Sequence, residues 1–249
     1  MQNITRLYAL SKRNIILRYK NSIAGFLWGF FKPLLYLLIF IVVFSKQFST
    51  INNYTLYATS GLVFWFFFSN ILNQSIGSII SSTGIIKSIN VPVIFFPLSE
   101  TISEIFNLLL TFAIFFIAMY WFGIVYSFKL LLIIPIIVLF SIFSFGLAMI
   151  LSSLNVFFRD VGILWTTVQP ALFYLTPIAY PKEVLTKFHP LILKLNPIYY
   201  FIETERIIVH QNAVPPLRLW LECTAISVVM FTMGYFIFNK LKQQFIAAI

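Results

Sequence analysis

Acidic residues are scarce in this chain: seven Asp and Glu stand against 17 Lys and Arg in 249 residues, beside two histidines and one cysteine. A lone cysteine, Cys223, excludes an intrachain disulfide and a cysteine-based metal cluster. His189 and His210 lack ligand spacing and companion carboxylates, so the pattern does not point to zinc. There is no G-x-x-x-x-G-K-[ST] loop, and the chain cannot cradle nucleotide phosphates by itself. H-E-x-x-H and G-x-S-x-G are missing too, which removes the usual hydrolytic arrangements. Charge of either sign is thin, at 10% of residues, whereas 60% are hydrophobic, 19% are aromatic and the mean hydropathy is +0.95. Such a chain cannot hide its apolar surface within a water-soluble globule of this length; its solvent is lipid. The net charge of +10 flanks apolar runs and is not gathered into an aromatic-interleaved groove, which favours anionic lipid headgroups over nucleic acid as partners.

An all-α integral membrane protein follows, because backbone groups left unpaired in hydrocarbon cost several kcal/mol each and the apolar runs do not alternate as barrel strands do. Six transmembrane helices are expected in a single domain over residues 1–249: 24–44, 61–80, 98–122, 130–154, 162–180 and 220–238. The first twenty residues are basic and broken by polar positions. They do not read as a cleavable signal, so the first span is expected to stay. Five basic residues precede that span and only Lys46 follows closely, which sets both termini on the cytoplasmic side.

Residues 1–23 form an interfacial amphipathic helix: Arg6, Arg13 and Lys20 recur at seven-residue spacing, and Ile4, Tyr8, Ile15 and Tyr19 project from another face. Arg18 falls near the apolar side. Lys32 sits half-way along the first apolar run, where a charge costs roughly 2.5–3.5 kcal/mol unless it snorkels or is paired. A geometry that avoids this cost keeps residues 18–31 along the interface, with Trp28 at headgroup depth and Pro33 near the first turn of the crossing helix.

Other polar positions are suggestive. Asn70, Asn73 and Gln74 follow the aromatic block Trp65–Asn70 in the second span, where they either bond neighbouring helices or line a pore. In "SSTGIIKSINVPVIFFPLSE", Ser82 or Thr83 caps a short helix, Pro92 stops it and Pro97 restarts the next; Glu100 and Glu104 then suit its positive dipole end or make a functional polar contact. Arg159 and Asp160 suit a local ion pair or a lipid contact. Residues 181–219 read as two short external or re-entrant helices, the second capped by Asn196, opened by Pro197 and presenting Ile198, Phe201, Ile202, Glu205 and Ile208 on one face. No 3+3 inverted repeat is evident, so energy must come from a partner.

Taken together, "RYKNSIAGFLWGFFKPLL", "SGLVFWFFFSNIL", "TGIIKSINVPVIFFPLSE", "LNVFFRDVG", "TPIAYP" and "LNPIYYFIETER" resemble, in order and spacing, the permease subunit of bacterial ABC-2 type exporters for O-antigen, capsule and teichoic acid. The resemblance covers nearly the whole chain. It implies a homodimer enclosing a channel for undecaprenyl-linked polysaccharide. Two copies of a separate ATP-binding subunit carry ATP and Mg, so that the chain itself binds no cofactor and is not an enzyme. Ser82, Thr83, Ile85, Ile86, Lys87 and Pro92 would then engage the ATPase. Arg6, Arg13, Arg18, Lys20, Trp28 and Lys32 would lie where substrate is admitted from the membrane surface. Trp65, Phe66, Asn70, Asn73, Tyr174 and Tyr180 are channel-lining candidates, and Pro197, Tyr199 and Phe201 belong to an external gate. In one respect the chain departs from the family: Val93, Ile94, Phe95 and Phe96 follow the proline and Ser88 follows Lys87, where charged residues are common, so docking there is expected to be more hydrophobic. A drug or lipid exporter of the same plan, an ATPase-independent channel or carrier, and a membrane scaffold are the competing readings.

Overall fold

The computed structural model describes residues 2–19, 27–49, 51–121 and 127–248. Among them there is no strand; the elements are α1 Gln2–Tyr19, α2 Leu27–Phe44, α3 Tyr54–Ser81, α4 Thr83–Ser88, α5 Phe95–Trp121, a 3-10 turn Phe128–Leu132 leading into α6 Ile133–Phe157, α7 Asp160–Tyr174, α8 Glu183–Phe188, α9 Leu191–Leu195, α10 Pro197–Val209 and α11 Leu217–Ala248.

Among the described residues four stretches are long and apolar enough to cross a bilayer: Tyr54–Ser81, Phe95–Ile117, Phe128–Phe157 and Leu217–Phe245. The other two expected spans are shorter. Helix α7 has 15 residues, about 22 Å at 1.5 Å per residue, and ends before Pro177, whose ring disfavours helix in the residue ahead of it. The apolar part of α2 within the described residues is Pro33–Phe44. Pro33 lies inside α2 and not at its first turn, so residues 27–31 belong to the same helix as the apolar run, and the helix forgoes one backbone hydrogen bond. Helix α3 begins seven residues earlier than its apolar run. Asn53, with φ 50°, accepts from the Leu56 N–H at 3.4 Å and nucleates a polar first two turns that a hydropathy window passes over.

The core is aromatic. Phe64, Phe68, Phe140 and Phe143 stack between α3 and α6, and Phe201 of α10 closes on them with ring centroids 4.7 Å from Phe140 and 5.3 Å from Phe143. Helices α6 and α11 meet backbone to backbone. A Cβ on Gly146 would sit 2.6 Å from the Met230 carbonyl oxygen, and one on Gly234 would collide with Gly146. The Ser227 hydroxyl donates to the Leu139 carbonyl across the same seam at 2.8 Å. Close approach of small residues is how helices gain packing energy where lipid supplies no hydrophobic drive.

One end of the bundle carries Ile79, Met149, Val156, Phe238 and Phe245 in a single cluster, with Ile86, Val93 and Ile94 against it. Since α1 reaches the α4–α5 link through Arg6, both chain termini lie at this end. The far end holds the start of α3, the 175–182 segment and α10.

Candidate functional site

At the terminal end, α4 forms an elbow between α3 and α5. Ser82 precedes it, but its side chain makes no capping bond, and the Thr83 hydroxyl turns back to the Ile80 carbonyl at 2.7 Å, so neither caps the helix as its sequence suggests. The helix stops at Ser88, whose hydroxyl donates to the Gly84 carbonyl at 2.7 Å, and Pro92 lies beyond in the link. Ile85 and Ile86 are half-buried, Lys87 and Pro92 exposed, and Ile89 is 52% exposed. An open groove of about 370 Å³ runs from Ile86, Ile89 and Val91–Ile94 to Tyr235, Phe238 and Lys242 of α11.

Helix α1 crosses α5 beside this elbow. Arg6 Nη1 donates to the Asn90 carbonyl at 2.8 Å, Ser103 Oγ to the Ser11 carbonyl at 3.2 Å and Asn14 Nδ2 to Ser99 Oγ at 3.0 Å, while Arg18 is ion-paired with Glu104. The pairing explains why Arg18 breaks the amphipathic pattern: its face is turned to protein. Leu10 and Ser11 are buried there, whereas Ile4 and Tyr8 are 76% and 66% exposed, so the expected apolar face divides between protein and surroundings. The basic stripe divides as well. Arg6 is spent on an internal contact while Arg13 is exposed, and Arg18, off the stripe, is held by Glu104. Lys20 and the side chains of Trp28 and Lys32 lie outside the described residues. Glu104 is the tenth residue of α5, past the first turn where a helix dipole acts, and its partner is Arg18. Asp160 opens α7 at the dipole's positive end, and no ion pair to Arg159 is among the described contacts.

The mid-span candidates separate. Trp65 and Phe66, 3% and 7% exposed, are buried against Phe173 and Tyr36 respectively, within the core and not at the surface where a lining residue would stand. Asn73 accepts from Trp165 Nε1 at 2.6 Å, an interhelical bond, and Asn70 lies beside the Glu104 carboxylate. Tyr174 is 69% exposed, and Tyr180 is half-buried with its hydroxyl donating to the Tyr174 carbonyl.

At the far end, Asn196 caps α10 as its sequence predicts, accepting from the Ile198 N–H at 3.1 Å with Pro197 following, and Ile198, Phe201, Ile202, Glu205 and Ile208 are all buried. Phe201 is therefore a core residue; Pro197 and Tyr199 are half-buried. The segment before α10 forms two helices, not one, because Pro190 holds His189 extended between α8 and α9. Arg206 donates to the Pro177 and Ile178 carbonyls at 3.0 and 2.8 Å and lies 3.7 Å above the Tyr57 ring, fixing the non-helical turn after α7. Tyr54 and Tyr57 donate to the Ala179 and Tyr180 carbonyls of the same turn. Lys182 pairs with Glu203 at 2.6 Å; burial pushes its ammonium pKa down, but the carboxylate outweighs this and holds it above the ordinary lysine range. Burial lowers His210, whose Nε2 donates to the Asn52 carbonyl at 2.5 Å. Glu205 is fully buried, and among the described residues neither of its oxygens has a hydrogen-bond partner. Nearby Ser60 donates to the Tyr57 carbonyl instead, and burial pushes the carboxyl up to about 8 against the pull of Arg206. Sequence reasoning missed the roles of Arg206 and Trp165, and it placed Glu104 and Glu205 without their surroundings; for Arg206 a base inside an apolar run was the available signal. Among the described residues no three His, Cys, Asp or Glu side chains converge as metal ligands.

Similarity to known proteins extends over most of the chain. Residues 5–210 match the family model described as ABC-2 type transporter. The O-antigen export system permease protein RfbA of Klebsiella pneumoniae is 32% identical, with 96% of this chain and 93% of the relative aligned. Its namesake in Myxococcus xanthus is 25% identical over 98% and 95%. The polysialic acid transport protein KpsM of Escherichia coli is 25% identical over 83% and 81%. The chain therefore belongs to the ABC-2 type transporter family.

Proposed function

We propose that the chain is the permease subunit of an ATP-driven exporter that moves lipid-linked cell-surface polysaccharide across the cytoplasmic membrane. Two copies enclose the path, and two ATP-binding subunits, which hold ATP and Mg, dock beneath them with both permease termini facing the cytoplasm. Near full-length similarity to O-antigen export permeases supports the cargo. The observation that carries the coupling is the elbow: α4 lies at the end where both termini gather, directly between two spanning helices, with half-buried isoleucines beside an open groove. A partner closing on ATP displaces α4 and, through it, α3 and α5 together. Tyr174, exposed near the turn that Arg206 fixes, and Tyr180 beside it are the path-lining candidates; Trp65 and Phe66 support the wall from within. Pro197 and Tyr199 border the exit, and Phe201 keys α10 into the core behind them.

Deleting the gene in its own host tests the reading. Undecaprenyl-linked glycan should accumulate inside the cell and disappear from the surface, with recovery only when both the permease and its ATP-binding subunit are supplied. Normal surface glycan in the deletion strain would overturn it, and loss of lipid or drug efflux in its place would favour an exporter of a different cargo.

A further inference from the structure

Helix α1 is tied to the elbow near its start and to α5 near its end. Near its start Arg6 holds the Asn90 carbonyl, in the link that joins α4 to α5. Near its end Arg18 reaches Glu104, whose side chain is 2% exposed and whose second oxygen accepts from Asn107 Nδ2 at 3.4 Å. From Ser11 to Arg18 the helix advances about 10 Å, yet its α5 partners stay between Ser99 and Glu104. Helix α1 thus lies across α5, as a helix in the interfacial plane must lie across a spanning one. Buried serines at the crossing let the backbones approach, with Ser11, Ser99 and Ser103 at 5%, 1% and 0% exposure. A carboxylate so removed from water is tolerated while its cation stays in place, which makes this contact strongly selective for one pose of α1.

We propose that Arg18 and Glu104 are positioning residues that make α1 travel with the elbow and α5 as one body, so that a push on α4 also moves the helix lying at the membrane surface. The proposal rests on the exporter reading, but its geometry is measured without cargo or ATPase. Ser11→Cys with Ser103→Cys supplies the probe, since the native Cys223 is buried and does not compete. In isolated membranes the 11–103 disulfide should form nearly completely. Arg18→Glu should cut its yield at least threefold, and adding Glu104→Arg, which restores an opposite-charge pair, should recover it. In cells, Arg18→Glu and Glu104→Gln should each lower glycan export at least tenfold while the permease still co-purifies with its ATP-binding subunit. The charge-swapped protein should regain at least a third of export, and oxidising the 11–103 pair should rescue Arg18→Glu until reductant is added. Three results would each overturn the proposal: export lost on oxidising the pair in the otherwise native chain, disulfide yield indifferent to Arg18→Glu, or yield that falls while export does not. Deletion without a glycan phenotype would remove the exporter reading alone, since disulfide yield still reads the pairing.

Discussion

Arg206 shows how a single side chain organises a whole end of the bundle. Its guanidinium satisfies two carbonyls that the broken turn after α7 leaves unpaired and covers the face of Tyr57. Arg206→Ala strands both acceptors, so the melting temperature of the purified protein should fall by several degrees, corresponding to about 3 kcal/mol or less. Arg206→Lys should recover only part, because an ammonium lacks the fork that spans two acceptors. Its neighbour Glu205 sets a pH dependence. A carboxyl raised from 4.5 in the open chain to about 8 in the fold binds its proton more tightly when folded. Its contribution is complete below pH 4.5 and is lost as pH rises through 8. Thermal stability measured from pH 5 to 9 should decline over that window, and Glu205→Gln should flatten the decline.

At the scale of elements, what was legible in the sequence was local. Asn196–Pro197 and the inward face of α10 follow from cap chemistry and spacing within thirteen residues, and the structure shows both. The α1 helix was legible for the same reason, but its partner was not: Glu104 meets Arg18 only because two helices far apart in the chain cross, and no periodicity in either reports that. The polar first turns of α3 escaped an apolar window because hydropathy does not register the Asn53 cap that starts them, and α7 looked longer than it is because "TPIAYP" is apolar without being helical. Two element-scale outcomes follow. Replacing Ile85 or Ile86 with Asp puts a charge on the proposed docking face of α4 and should weaken co-purification of the ATP-binding subunit at least about tenfold, the loss that roughly 1.4 kcal/mol brings; undiminished complex would place the docking elsewhere. Gly234→Val drives a branched side chain into the Gly146 backbone and should abolish a monodisperse peak in size-exclusion chromatography, whereas Gly77→Ala, with no atom within 4 Å of the new methyl, should leave it unchanged.

For the whole molecule, the grouping of both termini with α4 at one end is a geometric fact from which sidedness can be tested. Reporter fusions at residues 2 and 248 should both be active on the cytoplasmic side, and a fusion placed after Val209, beside the Arg206-held turn, should be active on the opposite side. The distribution of polar groups fits that division: basic residues of α1 and the elbow at one end, tyrosines and the Lys182–Glu203 pair at the other. The full count of crossings was less legible than the fold class, because composition fixes the solvent while the length of α2 and α7 depends on where prolines and neighbouring helices end them.

The backbone seam between Gly146 and Gly234 also bears on how the protein is made. Its two halves are released by the ribosome almost ninety residues apart, the later one in α11, after the other described helices. The groove of α6 therefore stays unfilled while the intervening residues are made, and a message cut short before α11 should yield a chain that lacks its tightest joint.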